Sequence, residues 1–375
     1  MRVRFGQRTA SEQQAFEAFA DGMTRLYVDA AAESRDDAWW RERVRALSRK
    51  LDAEQRGGSI VVRARDRRVW PLAEMLAAGA PRELDVVCGR PALALESCVS
   101  LHSGSTAQFA KASVRAGFTR GHLLDVVINL PGGSGSEGEL DDAESLVWEL
   151  LGERRAEAWV GDVKVAPAPR GGPLRVLANA SESGFPLGEL PAALDAAVAG
   201  LYAGFAEQPH WARSDSGAWT LFELTPEPAS DWADEDDLVM ASTCVPELLK
   251  SRLSKQPFSS QRFSRHGELF FHLKYEDEGS PDERLAARRA LEDTLDNALA
   301  SGKVGRVVGG GLGLRYSYVL LALDAFERSL ELTAHICRRA KLPLRSWLLP
   351  LDSDLACEWY AVWPHSPAPL LASEP

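Results

Sequence analysis

The chain has 375 residues, 43 Lys and Arg against 54 Asp and Glu, and a formal net charge of −11. That balance argues against general nucleic-acid binding, which needs a basic face for phosphates. Five scattered cysteines (Cys88, Cys98, Cys244, Cys337, Cys357), with no C-x-x-C pair, argue against a disulfide framework and a zinc ribbon. No run is apolar and long enough to span a bilayer, and Met1 to Arg8 is too polar for a signal peptide, so a cytoplasmic protein is expected.

Residues 1–118 read as an α/β region of unfixed topology. Arg2 to Phe5 suggests a short strand, Ser11 to Met23 a helix, and Leu26 to Ala30 a strand. Asp36 to Gln55 reads as a helix with Trp40, Val44, Leu47 and Leu51 on one face. Gly57-Gly58 ends it. A strand follows over Ser59 to Ala64, a helix over Val69 to Ala78, and a strand over Leu84 to Cys88. The stretch from Ala92 to Phe118 has no clear period.

Residues 119–228 read as a β-α-β-β-α-β unit. Its strands are His122 to Leu130, Ala158 to Val165, Leu174 to Ala178 and Trp219 to Leu224; its helices are Asp141 to Leu151 and Leu190 to Phe205. Residues 229–267 look like a linker, with a short helix near Val245 to Leu253.

Residues 268–363 give the clearest pattern. Glu268 to Tyr275 is rich in aromatic and apolar residues and reads as a strand. Ser280 can cap a helix, Pro281 suits its first position, and Glu283 completes a capping box. Leu291, Leu295 and Leu299 keep helical spacing, and Gly302 ends the helix. Strands follow over Val304 to Leu312 and Tyr316 to Leu323. A second helix opens on an Asp324/Glu327 capping box, and a strand over Arg345 to Leu351 closes the unit. Glu358 to Trp363 suggests an added edge strand, and 364–375 a frayed tail. The expected fold is therefore α+β: tandem ferredoxin-like units with antiparallel sheets after an α/β region. Val307-Val308-Gly309-Gly310-Gly311 leading into Tyr316-Ser317-Tyr318 resembles other ferredoxin-like units, and that resemblance implies no activity. In such a unit one sheet face is covered by helices; the other is free to pack, bind or face water.

Motifs for chemistry are sparse. Gly133-x-Gly135-x-x-Gly138 lies between a strand and a helix, but Glu137, Glu139, Asp141 and Asp142 would repel a pyrophosphate, and the segment reads as a flexible loop. Gly309, Gly310 and Gly311 suit a β-bulge. The competing reading is an anion nest held by Arg306 and Arg315. His266, Glu268 and His272 share a strand face but span about 20 Å, too far for one ion. His102 beside Ser100 and Ser103 is a weak local candidate whose plain reading is a loop histidine. No G-x-S-x-G elbow occurs. No catalytic residue, metal or cofactor is therefore assigned.

Two functional expectations follow. The first is a non-catalytic protein that binds and neutralises or regulates a protein partner, one concrete form being an immunity protein for a basic toxin. Asp234, Glu235, Asp236 and Asp237 would make the acidic contact, and Trp211 and Trp232, in apparent loops beside polar residues, would also touch the partner. The second is an enzyme or small-molecule sensor holding an anionic ligand through Arg306, Gly309, Gly310, Gly311 and Arg315, in a cleft between the α+β units.

Overall fold

The computed structural model describes residues 10–32, 36–49, 51–56, 59–64, 70–81, 84–90, 92–101, 106–167, 184–213, 217–254, 256–324, 326–355 and 358–370. They form a mixed α and β structure with three sheets, divided between two compact units. One unit comprises Leu26–Arg65 and Pro71–Phe205; the other is built chiefly from Ala206–Pro375. Among the described residues no helix is long and apolar enough to cross a membrane.

The described residues open with helix α1 (Ala10–Ala32). The strand expected at Leu26 to Ala30 is its last part. Leu26, Tyr27 and Ala30 are all buried while Val28 is exposed, which is helical rather than alternating spacing. Helix α2 (Asp37–Leu47) starts at Asp36, whose carboxylate accepts the Trp39 N–H, and ends eight residues before its expected limit. Beyond it Leu51 and Ala53 are buried and Asp52 and Glu54 only half-buried, so the period becomes two and strand β1 (Leu51–Arg56) forms. It pairs antiparallel with β2 (Ser59–Ala64). After α3 (Trp70–Ala78), β3 (Val86–Cys88) adds parallel to β2.

Helix α4 (Leu95–Leu101), β4 (Ser113–Phe118) and β5 (Leu124–Leu130) follow. Helices α5 (Glu137–Leu151) and α6 (Glu153–Trp159) lead into β6 (Val160–Pro167), and β7 (Phe185–Pro186) precedes α7 (Leu190–Ala203). The four strands lie in the order β6-β5-β4-β7. Their core joins Val126, Ile128 and Leu130 of β5 to Leu146, Val147 and Leu150 of α5 and Leu190 and Leu194 of α7. The segment expected as the first split β-α-β-β-α-β unit is built differently. β5 and β6 are parallel neighbours, where a split unit would place a strand between them. The strand expected at Leu174 to Ala178, like the one at Arg2 to Phe5, lies outside the described residues.

The strand expected to close that unit is β8 (Thr220–Glu223), and it belongs to another sheet. It pairs with β9 (Leu238–Thr243), a strand inside the expected linker. Helix α8 (Pro246–Leu253), β10 (Leu269–Glu276), α9 (Pro281–Gly302), β11 (Gly305–Gly313), β12 (Tyr316–Leu323), α10 (Phe326–Arg339), β13 (Ser346–Pro350) and β14 (Tyr360–Ala361) complete the chain. The seven strands run β14-β13-β10-β12-β11-β9-β8, every neighbouring pair antiparallel. The Ser280/Glu283 capping box starts α9 as its sequence requires. Asp324 stands just before α10 and Glu327 lies in its first turn, where the sequence put their capping box.

Both faces of this sheet are buried. Phe271, Leu273, Val319, Leu321 and Leu348 pack under Leu291, Leu295 and Leu299 of α9 and Leu330 and Ala334 of α10. The other face carries Phe270, Leu320, Tyr316, Tyr318 and Trp347, and the chain itself covers it with Leu248 and Leu249 of α8, Phe258 and Phe263. The residues read as a linker are thus the missing layer of the fold.

The glycines of β11 allow close approach. The register slips between Val307 and Gly309, the bulge that Gly309 to Gly311 suggested. A Cβ on Gly310 would sit 2.1 Å from Glu292 Oε1, 2.5 Å from Arg288 Nη1 and 2.7 Å from the Tyr318 carbonyl oxygen. The Arg288–Glu292 pair of α9, 3.2 Å apart, therefore rests directly on bare backbone. Gly310→Ala should destabilise the protein by about 3 kcal/mol, because the Tyr318 carbonyl cannot swing away. Gly200→Ala, in the last turn of α7 with nothing within 4 Å of the new methyl, should stabilise it by about 0.5–1 kcal/mol. Urea unfolding midpoints of the two variants check both signs.

Candidate functional site

Under the covering layer lies a sheet of polar groups, and the acidic run is its lid. Asp236 is exposed, but Glu235 is buried and Asp237 has no exposure at all. The run is therefore not a solvated charged face. Asp237 accepts N–H bonds from Arg315 at 2.8 Å and Tyr316 at 2.9 Å, and the Tyr318 hydroxyl also donates to it. Its backbone carbonyl takes the Leu314 N–H at 2.9 Å. Asp237 thus closes the β11–β12 turn. Gly313 makes room, since a Cβ there would stand 2.3 Å from the carboxyl carbon.

Glu235 is gripped from α8. Arg252 donates to its two oxygens through Nε at 2.8 Å and Nη2 at 3.0 Å, a planar fork. His272 Nδ1 lies 3.8 Å from the same carboxylate. Burial opposes the charge on Glu235, yet Arg252 above all holds its pKa down at about 2. Burial lowers His272 to about 4, against the pull of Glu235, so its imidazole is neutral near pH 7. Beside it Lys274 is 1% exposed. Its ammonium donates to the Trp232 carbonyl at 2.7 Å and sits 4.2 Å from the Tyr316 ring centroid. Burial brings Lys274 down to about 8, opposed by Asp237, Asp234, Asp231 and Glu235. Burial also raises Tyr316 to about 12. Asp231 accepts the Tyr316 hydroxyl at 2.6 Å and Arg345 Nη2 at 2.8 Å.

The remaining sequence candidates separate. Trp232 is half-buried and its indole N–H bonds Glu227 O at 2.9 Å; Trp211 is half-buried in a one-turn helix, His210–Ala212. Arg306 donates to Arg213 O and lies 3.4 Å from Asp296, while Arg315 is paired with Glu276 at 2.6 Å. The two arginines stand at opposite ends of the β11–β12 hairpin, about 30 Å of strand apart, and do not converge on the glycines. Gly309 and Gly311 face the backbone of β9, and Gly310 faces Arg288 and Glu292. Glu268 receives His210 N and Nδ1, at 2.6 and 2.7 Å, and Ser264 Oγ at 2.7 Å. His266 bonds Ala206 O and His272 faces Glu235, so the three same-face residues serve three separate contacts. His210, absent from the sequence candidates, is a buried core partner of Glu268. Ser264 bonds the carboxylate rather than the imidazole, so no nucleophile-base pair results.

The loop Gly133 to Gly138 has an own-chain occupant. Glu139 Oε2 accepts the N–H groups of Ser134, Gly135 and Ser136 at 3.0, 2.7 and 3.1 Å, filling the nest a phosphate would use. His102 and Ser103 lie outside the described residues. Among the described residues no group of three or more His, Cys, Asp or Glu could hold a metal.

One surface stands apart. β8 is the edge of the seven-stranded sheet. Phe222 and Leu224 turn into the core, whereas Trp219 is 48% exposed, Leu221 58% and the neighbouring Val239 38%. Leu224 N bonds Val239 O, so by alternation the N–H and C=O groups of Leu221 and Glu223 point to the outer edge, where no strand pairs among the described residues. Neither Lys nor Pro blunts this strand. A strand reading of the segment was legible, but its edge position was not, because β9 was hidden in the apparent linker. No protein-family model, curated protein or solved structure matches the chain.

Two outcomes check the polar layer. Asp237→Ala leaves two backbone N–H groups and a tyrosine hydroxyl without their acceptor and removes one of four carboxylates around Lys274, and should lose about 3–5 kcal/mol in urea unfolding. His272 has the opposite kind of signature. Below its ordinary pKa of about 6.5 the unfolded chain takes up a proton that the folded chain refuses down to about 4, so this histidine withdraws stability as pH falls through that window. Stability measured from pH 7 to pH 4 should therefore fall more steeply for the wild type than for His272→Gln. Parallel curves would show that the imidazole is protonated in the fold.

Proposed function

We propose that the chain is a protein-binding protein that takes an extended segment of its partner onto the open edge of β8. The carrying observation is the row Trp219, Leu221 and Glu223, whose exposed side chains share one side of an edge strand with outward backbone groups. Strand addition uses those groups for affinity and alternate side chains for specificity. The apolar pair offers desolvation, and Glu223 favours a Lys or Arg in the partner strand. The net charge of −11 supports a basic partner, and an immunity protein that masks a basic toxin is the concrete form of this reading. Asp236 is an exposed member of the acidic run. In architecture we read β13-β10-β12-β11, with α9 and α10, as one ferredoxin-like unit extended at both edges by β14 and by β9-β8.

A photo-reactive residue at position 221 tests the docking place. A partner recovered from the native source should cross-link through that position, and Leu221→Lys should abolish recovery while shifting stability by no more than about 0.5 kcal/mol. Recovery unchanged by Leu221→Lys, or a cross-link only to a second copy of the chain, would overturn the reading.

A further inference from the structure

The unit formed by Leu26–Arg65 and Pro71–Phe205 holds a cavity of about 300 Å3, the small end of the range for ligand sites. One wall is α5, where Glu144, Ser145, Trp148 and Glu149 fall on a single helix face. The opposite groups are Arg63 from β2 and Arg90 from the turn after β3, with Glu153 at the start of α6 between them.

The guanidiniums are held before any ligand arrives. Arg63 donates to Glu153 through Nε at 3.0 Å and Nη2 at 2.7 Å. Arg90 donates Nε to Glu54 at 3.0 Å, and its backbone N–H bonds Glu153 at 3.1 Å while Glu153 N returns to Arg90 O at 2.9 Å. Among the described residues these bonds leave Nη1 of Arg63 and both Nη atoms of Arg90 for an oxygen ligand. Two braced guanidiniums suit a planar carboxylate, and bracing lowers the entropy lost on binding.

The α5 wall narrows the class. Glu144 is exposed at the mouth and Trp148 is half-buried beside it. A doubly charged phosphate would meet Glu144, Glu149 and Glu153; a bare amine would meet two arginines. A molecule carrying one carboxylate and one ammonium answers both walls, and an apolar or aromatic body fits the indole. We propose that this cavity binds a free α-amino acid, its carboxylate on Arg63 and Arg90, its ammonium toward Glu144 and its side chain against Trp148. The site is independent of strand addition at β8.

Titration calorimetry of the full chain with L-phenylalanine, 3-phenylpropionate and phenethylamine separates the possibilities. The amino acid should bind at least tenfold more tightly than either single-charge analogue. Glu144→Gln should weaken L-phenylalanine by about tenfold, and Ser145→Trp, a change at an exposed position facing the cavity, should abolish its binding with the unfolding midpoint preserved. Equal affinity for 3-phenylpropionate would make this an anion site and overturn the assignment, as would equal affinity for phenethylamine. So would no binding of L-phenylalanine, or binding that neither substitution changes.

Discussion

The seven-stranded sheet depends on one buried carboxylate. Asp237 joins the covering layer to the β11–β12 turn through two backbone N–H groups and the Tyr318 hydroxyl, and it does so because Gly313 has no side chain in the way. With that contact in place the segment from Asp231 to Leu253 closes over the second face, and Lys274 is left dry beneath it. A lone ammonium there would be unfavourable by several kcal/mol. Asp237, Asp234, Asp231 and Glu235 offset that penalty together, and Arg252 in turn offsets Glu235. The layer is therefore cooperative: its charges are acceptable only as a set, and the set exists only when the lid is down.

This cooperation explains what could and could not be read from the sequence. Local signals stood out where they are local. The Ser280/Glu283 box, Pro281 and the leucine spacing of α9 fix that helix from a few neighbouring residues. The apolar run of β12 states its own burial. The acidic run is the opposite case. Asp234 to Asp237 carries no apolar period and looks solvated, since the cations and N–H groups that answer it lie on Arg252, Lys274 and the β11–β12 turn, up to 79 residues away. β9 was lost for the same reason: placed behind that run, Leu238–Thr243 looked like the end of a linker. In the four-stranded sheet, the parallel neighbours β5 and β6 differ from a split unit only in which strand lies between them, and element order alone does not encode that.

The Gly-rich segments carry the same lesson for the candidate sites. Gly133 to Gly138 and Gly309 to Gly313 both have the bare backbone that could receive an anion. In the first, Glu139 accepts the loop N–H groups; in the second, Glu292 and Asp237 lie against Gly310 and Gly313 and fill the space a side chain would need. Glycine weakens a strand through entropy and lost packing. Here that loss is offset because Gly310 lets an ion pair of α9 touch the sheet and Gly313 lets Asp237 reach the turn. These glycines are conditions for packing rather than marks of a ligand.

Self-occupation also changes what the net charge means. Of the 54 acidic residues, Glu149, Glu153, Glu235, Asp237, Glu268, Asp352 and Glu358 are buried. Glu153, Glu235 and Glu268 are held there by Arg63, Arg252 and His210. A charge outside the protein feels exposed charges at full strength and interior pairs as near-neutral dipoles, so these carboxylates add little to a contact although the net balance stays negative. Recognition by charge would then rest on scattered exposed carboxylates such as Asp236 and Glu223, which salt screens. Recognition by strand addition rests on backbone groups and on Trp219 and Leu221, which salt does not screen. Within the proposed reading, burial of Glu235 and Asp237 therefore places the weight on the apolar edge of the sheet rather than on the acidic run.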